Sequence, residues 1–192
     1  SVGVLITNVI ISFVLSPYIV KNIGVEANGF VTLANNFVIY ANLIVTALNS
    51  MATRFITVEY IRKDNRTANL YYNSVFWGNL IIVAVLLIPA VYMILQLQDF
   101  INIPTNLILD VKILFAFVFL NFFIMTGMPN WDCGVYVTNR LERQYVPSMC
   151  IVVLRGIFLF LMFRNFVPHV WYVGGTATFM TLANLAVNGY NT

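Results

Sequence analysis

The sequence predicts an all-α integral membrane protein folded as one six-helix bundle, and three observations predict it. Of its 192 residues, 60% are hydrophobic and only 9% charged, against roughly 25% charged in an ordinary soluble domain. Six apolar segments, residues 2–20, 30–53, 72–95, 108–138, 146–165 and 168–190, are each long enough to span once interfacial residues are included; a spanning helix needs roughly 20 residues. Only helices and closed barrels satisfy every backbone donor and acceptor in hydrocarbon, and these segments are too long and too continuously apolar for barrel strands. The connections are short, with no Gly/Ser/Pro-rich linker to mark a second domain.

The first segment is interrupted by Thr7 and Asn8. It lacks a basic leading region and a small-residue cleavage site, so it reads as a span of a longer protein rather than a secretory signal. A short polar turn, Lys21 to Gly29, precedes the second segment, whose run from Phe30 to Ala52 carries no charge. Its polar residues are ordered: Asn35, Asn42, Thr46, Asn49 and Thr53 succeed one another at steps of seven, four, three and four, which lines them along one side of a helix. Lipid would not tolerate that stripe, so it turns toward neighbouring helices or a wet cavity, with Arg54 closing one end. The fourth segment, from Asp110 past Pro129 to Asn139, would exceed about 40 Å as one helix and is expected to be long and kinked at Pro129; the alternative is that Gly127 and Pro129 end the helix and Asn130 to Arg143 forms a longer loop. The fifth carries Arg155 near its middle, and the sixth carries Thr181, Asn184 and Asn188 at helical spacing.

The loops set the orientation. Arg54, Arg62, Lys63 and Arg66 follow the second span and Arg140 and Arg143 the fourth, whereas the other side has only Lys21, Lys112 and Arg164. The basic side is expected to be cytoplasmic, and the N-terminus with it. Cys133 and Cys150 then lie toward the reducing side, and no disulfide is expected. Asn65-Arg66-Thr67 matches a glycosylation pattern but falls on the side where it means little.

Composition and motifs exclude several functions. A net charge of +3, dispersed, gives no nucleic-acid-binding patch. There is no phosphate-binding loop, zinc-protease motif, Cys/His metal cluster or nucleophile elbow, so neither an enzyme nor a cofactor is expected. His169, beside Pro168 and Trp171, reads as interfacial rather than metal-binding. Arg155 is the sharpest signal: a charge at mid-span costs at least about 2.5–3.5 kcal/mol, so something compensates it. Ser148 on the same face and the adjacent Gly156 suit an arginine reaching a wet cavity or an anion; the alternative is an ion pair with Asp132 or a contact to backbone carbonyls. Arg54 alone would simply snorkel, but it is continuous with the stripe above it. The candidate substrate-binding residues are therefore Arg54, Arg155, Asn35, Asn42, Thr46, Asn49, Asp132, Thr181, Asn184 and Asn188, with no catalytic or metal-binding residue among them.

Pro17-Tyr18-Ile19-Val20, Ile23-Gly24-Val25-Glu26, Gly29-Phe30, Ala47-Leu48-Asn49-Ser50 and Arg54 resemble the opening of polysaccharide transporters of the multidrug, oligosaccharidyl-lipid and polysaccharide flippase superfamily. Gly134-Val135-Tyr136 through Asn139-Arg140 resembles that family's fourth span entering a basic cytoplasmic turn. The likeness covers Pro17 to about Arg155 and departs at Asn28, where an aromatic residue commonly precedes the glycine. It implies a protein of roughly 12–14 spans in two pseudo-symmetric bundles, of which this chain would be the N-terminal lobe. The implied activity is alternating-access flipping of an undecaprenyl-pyrophosphate-linked oligosaccharide to the outer leaflet of the bacterial inner membrane. The implied partners are that lipid-linked oligosaccharide, membrane lipids and other polysaccharide-assembly proteins, with a coupling ion left open. Two alternatives stand beside it: a cation-coupled multidrug exporter of the same superfamily, and a non-transport subunit of a polysaccharide-assembly complex.

Overall fold

The computed structural model describes residues 16–127, 142–165 and 168–191, together with Val9 and Phe13 as single helical positions. Residues 16–23 form a helical segment, followed by α1 (Val25–Ile61), α2 (Asn65–Leu95), the single turn α3 (Leu97–Phe100), α4 (Ile108–Gly127), α5 (Glu142–Asn165) and α6 (Trp171–Asn191). No strand occurs among the described residues. Three of these helices, α1, α2 and α4, are long and apolar enough to cross a membrane. The chain is thus an all-α, multi-pass membrane protein.

The polar turn expected over Lys21 to Gly29 is corrected to a single residue. Gly24 adopts φ 88°, a left-handed conformation that costs a glycine nothing, and helix resumes at once. The Gly24 amide donates to the Val20 carbonyl at 2.9 Å and its carbonyl accepts from the Asn28 amide at 3.2 Å, so the break strands few backbone groups. Glu26 sits in the first turn of α1, favourable for the helix dipole. α1 therefore runs 37 residues, about 55 Å at 1.5 Å per residue, well beyond a hydrocarbon layer of about 30 Å. The segment expected over 108–138 is described as helix to Gly127; Pro129 and Asp132 lie outside the described residues, as do Thr7, Asn8 and Cys133.

α1 turns into α2 through Arg62, Lys63 and Asp64. Lys63 takes φ 62°, and the Asp64 side chain caps α2 by accepting from the Thr67 amide at 3.1 Å and the Thr67 hydroxyl at 2.7 Å. The Thr67 hydroxyl, then its amide, hold the Asp64 carboxyl below the usual carboxylate range. At the other end of α2, Lys112 Nζ donates to the Leu95 carbonyl at 3.1 Å, which satisfies a terminal acceptor of the helix. Pro89 lies exposed inside α2.

Contacts between side chains fix the registers. α2 runs antiparallel to α1, with Phe55 against Tyr71 and Asn49 against Asn79. α4 is parallel to α1, with Phe37 against Phe115 at one level. α6 is parallel to α4: His169 meets Asp110, Trp171 stacks on Phe117, and the Thr178 hydroxyl donates to the Phe117 carbonyl at 2.9 Å. α5 returns antiparallel, pairing Phe163 with Tyr172 and Phe158 with Phe179. α4 and α6 approach closely because Gly174 has no side chain; a Cβ there would stand 3.1 Å from Phe117 Cβ and 3.3 Å from the Leu114 carbonyl.

The main core is concentrated at one end of the bundle. Ile19, Ala27, Val31 and Ala34 meet Leu97, Ile103, Val111, Leu114, Phe115 and Val118, with Leu159, Phe163, Val170, Tyr172 and Val173. The end is reinforced by an aromatic chain, Tyr18–Phe163–Tyr172–Trp171–Phe117. His169 Nδ1 also meets Asp110 Oδ2 there, at 2.9 Å.

Two outcomes follow from this packing. Gly174→Val should lower the thermal unfolding temperature in detergent, by about 1–3 kcal/mol of stability, because its neighbours include backbone. Asp64→Ala should fray the start of α2, measured as faster amide hydrogen exchange over its first turns. Because the folded Asp64 carboxyl titrates below its unfolded value, the cap contributes above the ordinary carboxylate range and is lost as pH falls through the folded value. The difference between variant and parent should therefore be full at neutral pH and vanish in acid.

Candidate functional site

The surface of α1 divides into three strips when its residues are placed at 100° per residue. Ala27, Val31, Ala34, Val45 and Ile56 are buried and face the bundle. Leu33, Tyr40, Ile44, Met51 and Val58 form an exposed apolar strip suited to lipid. Between them runs a third, mixed strip in which Thr32, Asn35, Asn36, Thr46, Ser50 and Arg54 are exposed together with Ile39 and Leu43. Of the other described helices, α2 exposes Asn65, Arg66, Asn69, Asn73 and Ser74 over its first turns. On α2 every exposed residue from Trp77 to Leu95 is apolar or aromatic, on α4 the exposed residues are Leu109, Ala116, Leu120 and Met125, and on α6 they are Phe179, Leu182 and Ala186.

Most of the hydroxyls in this strip donate to their own helix. Thr32 donates to the Asn28 carbonyl at 3.1 Å, Ser50 to Thr46 at 2.8 Å and Thr53 to Asn49 at 2.9 Å. Asn35 Nδ2 donates to the Val31 carbonyl at 2.9 Å. Such back-bonding satisfies the donor while leaving the oxygen lone pairs outward. Asn42 is half-buried beside the strip. Asn49 differs: its Oδ1 accepts from Asn79 Nδ2 on α2 at 2.9 Å. Asn79 is 2% exposed and was missed by sequence reasoning, because one asparagine in an apolar run shows no period. The available signal was its lone polarity at mid-span.

A second polar region lies inside the bundle. Arg155 is on the face of α5 that also buries Leu159 and Phe163, four and eight residues on, so it turns toward the other helices and not toward lipid. Its Nε is buried without a hydrogen-bond partner among the described residues, and so are Asn121 Oδ1 and Thr126 Oγ1 on α4 and Asn184 Oδ1 on α6. The registers place Arg155, Asn121 and Asn184 at one depth, with Thr126 about 7.5 Å further along α4. Extending the Phe158–Phe179 and Phe117–Thr178 contacts by one turn sets Arg155 and Asn121 at the level of residues 181–184; Asn42 of α1 follows from the Phe37–Phe115 contact. A buried donor or acceptor left unpaired costs about 1–3 kcal/mol, so four at neighbouring depths mark a place where water or a ligand completes the bonding. Asn121 and Thr126 escaped sequence reading, since neither extends a polar row on its helix.

The structure therefore brings Arg155, Asn184, Thr181 and Asn42 to one depth and sets Arg54 apart. Arg54 lies twelve residues beyond Asn42, about 18 Å along the axis. Thr181 Oγ1 donates to the Ala177 carbonyl at 3.0 Å. Asn188 is helical, at the end of α6, and Asp132 lies outside the described residues. His169 is engaged by Asp110 and sits edge-on to Tyr172. Among the described residues no group of three His, Cys, Asp or Glu side chains could hold a metal ion, and Cys150 is a free, exposed thiol.

The chain is 29% identical over 166 residues to "Uncharacterized membrane protein EpsK" of Bacillus subtilis strain 168, a match that takes in 86% of this chain and 33% of that protein. The chain thus spans about a third of the length of that relative. No family model matches the sequence, and no solved structure matches it. The relative and the apolar helices agree on a multi-pass membrane location.

The strips make a direct expectation for labelling. In a background with Cys133→Ser and Cys150→Ser, cysteine at Asn36, Thr46 or Ser50 should react with a membrane-impermeant maleimide, while cysteine at Ile44, Met51 or Ile81 should not.

Proposed function

We propose that the chain is the N-terminal lobe of a flippase that carries a polyprenyl-pyrophosphate-linked oligosaccharide across the bacterial inner membrane by alternating access, with the N-terminus cytoplasmic. One observation carries the reading: beside its apolar face α1 exposes a mixed strip, Thr32, Asn35, Asn36, Thr46, Ser50 and Arg54 with Ile39 and Leu43 among them, whose polar groups suit the wall of a hydrated cleft. Hydroxyl and amide oxygens along it complement sugar hydroxyls, and arginines complement pyrophosphate. The unpaired groups around Arg155 supply a second polar surface at mid-depth. The remaining two thirds of a protein as long as the relative would supply the opposing wall of the cleft.

A cation-coupled exporter is the poorer reading. The acidic side chains of the described helices, Glu26, Glu59, Asp110 and Glu142, sit in first or last turns, and Asp64 and Asp99 lie at or beyond the ends of α2. Arg155 is the charge these helices hold at mid-span. A scaffold subunit would have no use for an open polar strip facing away from its own core.

The test is complementation of a deletion strain by the full-length protein. Arg54→Ala with Arg155→Ala should reduce surface-polysaccharide export by about tenfold or more, the loss of one or two charge-assisted contacts, with membrane expression unchanged. Export equal to the parent's would reject the reading. A deletion strain with altered drug sensitivity and intact polysaccharide would favour the exporter.

A further inference from the structure

A second surface, whose role rests on the transport reading, lies on α2 outside the hydrocarbon. The apolar run of α2 from Val75 to Leu95 holds no charge and takes up about 30 Å at 1.5 Å per residue. The turns from Asn65 to Ser74 therefore stand beyond it by about 15 Å, on the side of the α1–α2 turn. Asn65, Asn69, Asn73 and Trp77 follow one another at steps of four, which makes them one ridge of the helix. All four are exposed, Trp77 by 60%. Asn69 and Asn73 lie about 160° round α2 from Tyr71, the residue that meets Phe55, and Ser50 lies about 140° round α1 from Phe55. The ridge and the mixed strip of α1 thus open on the same side of the hairpin, away from that aromatic contact. A helix face that meets only water is ordinarily filled with strong helix formers such as Glu, Lys, Gln and Arg, and asparagine is a poor one. Three exposed asparagines on one ridge weaken the helix; what they add is a row of uncharged amides, each with two donor hydrogens and an acceptor oxygen.

We propose that this ridge binds the sugar chain of a membrane-anchored saccharide, seating it at the membrane surface before it enters the cleft. Depth selects the occupant. Trp77 stands at the edge of the hydrocarbon, where the anchored end of a lipid-linked sugar chain lies, and Asn73, Asn69 and Asn65 follow outward at intervals of about 6 Å. The indole offers an apolar face to the C–H side of a sugar ring, and the amides meet its hydroxyls. A phospholipid headgroup, short and charged, would use the basic residues of the turn and not three neutral amides rising away from the membrane. Arg66 stands exposed beside the ridge and supplies the contrast, since a surface built for anions would depend on it.

The experiment uses the full-length protein in lipid nanodiscs with two probes: lipid-linked oligosaccharides extracted from host membranes, and undecaprenyl pyrophosphate, which has the lipid and the anion but no sugar. Asn69→Ala with Asn73→Ala should weaken binding of the extracted lipids by about tenfold, the worth of two neutral hydrogen bonds, and leave undecaprenyl pyrophosphate within about twofold of the parent. The unfolding temperature should be no lower, since alanine is the better helix former. Trp77→Leu should likewise lower affinity for the extracted lipids alone. The proposal falls if the parent binds the extracted lipids no tighter than undecaprenyl pyrophosphate, if the asparagine variant weakens neither probe or both alike, or if Arg66→Gln alone reproduces the loss. It also falls if the asparagine variant loses export while keeping its affinity, which would mark the ridge as a docking surface for a partner protein. Export decides the transport reading separately. Arginine-dependent export with unchanged binding by the asparagine variant removes only this inference, and ridge-dependent binding in a protein dispensable for export removes only the transport reading.

Discussion

A polar group in hydrocarbon must find a partner, because no water is there to supply one. That constraint sorts the polar side chains of this bundle into three kinds. Serines and threonines bond back to the helix that carries them, as Thr53 does to Asn49 and Thr178 to Gly174. A few reach across to a neighbour: Asn79 to Asn49, and Thr178 to the Phe117 carbonyl. Others, Asn121, Thr126, Arg155 and Asn184, each bury one polar atom with no partner among the described residues. The first two kinds hold the helices together, each such contact contributing only about 0.6 kcal/mol on average. The third kind weakens the fold unless something polar enters, and it is where a transport reading finds its footing.

Packing distributes the load unevenly. The largest cluster of buried side chains, the aromatic chain through Tyr172 and the His169–Asp110 contact all lie toward the start of α4 and α6. There the close approach at Gly174 lets α4 and α6 meet with backbone nearly in contact. The unpaired polar atoms lie beyond that region, deeper along the same helices. One end of the described bundle is thus a conventional apolar core, and the polar chemistry begins where it stops. A carrier that must keep a hydrated surface while holding its helices in register needs both halves of that arrangement.

Relation to the relative from Bacillus subtilis is consistent with this division of labour. A chain covering a third of that protein has its own core and yet leaves a polar strip of α1 uncovered. α1 is also longer than a bilayer requires, so its last turns and the α1–α2 turn stand at or beyond the headgroups, where Arg62 pairs with Glu59 at 3.1 Å. The strip and this basic turn are continuous along one helix.

The all-α membrane class was legible in the sequence because it follows from composition and run length, which bilayer thickness converts directly into helices. The helical period of the α1 asparagines and threonines was legible too, but the structure exposes Asn35 and Thr46 and half-buries Asn42, Asn49 and Thr53. Arg155 stood out since no neighbour in the chain accounts for a charge in so apolar a run. Other features needed the fold. The break at Gly24 is shorter than the polar stretch around it because a single left-handed residue restores the helix. Asn79, Asn121 and Thr126 are isolated polar residues whose meaning lies in which helix stands opposite, and Arg54 and Arg155 are separated by a register that no periodicity encodes. Sequence fixes what a helix presents on each side; only packing decides which side meets lipid, which meets a partner, and which hydrogen-bonding atoms are left over for a ligand.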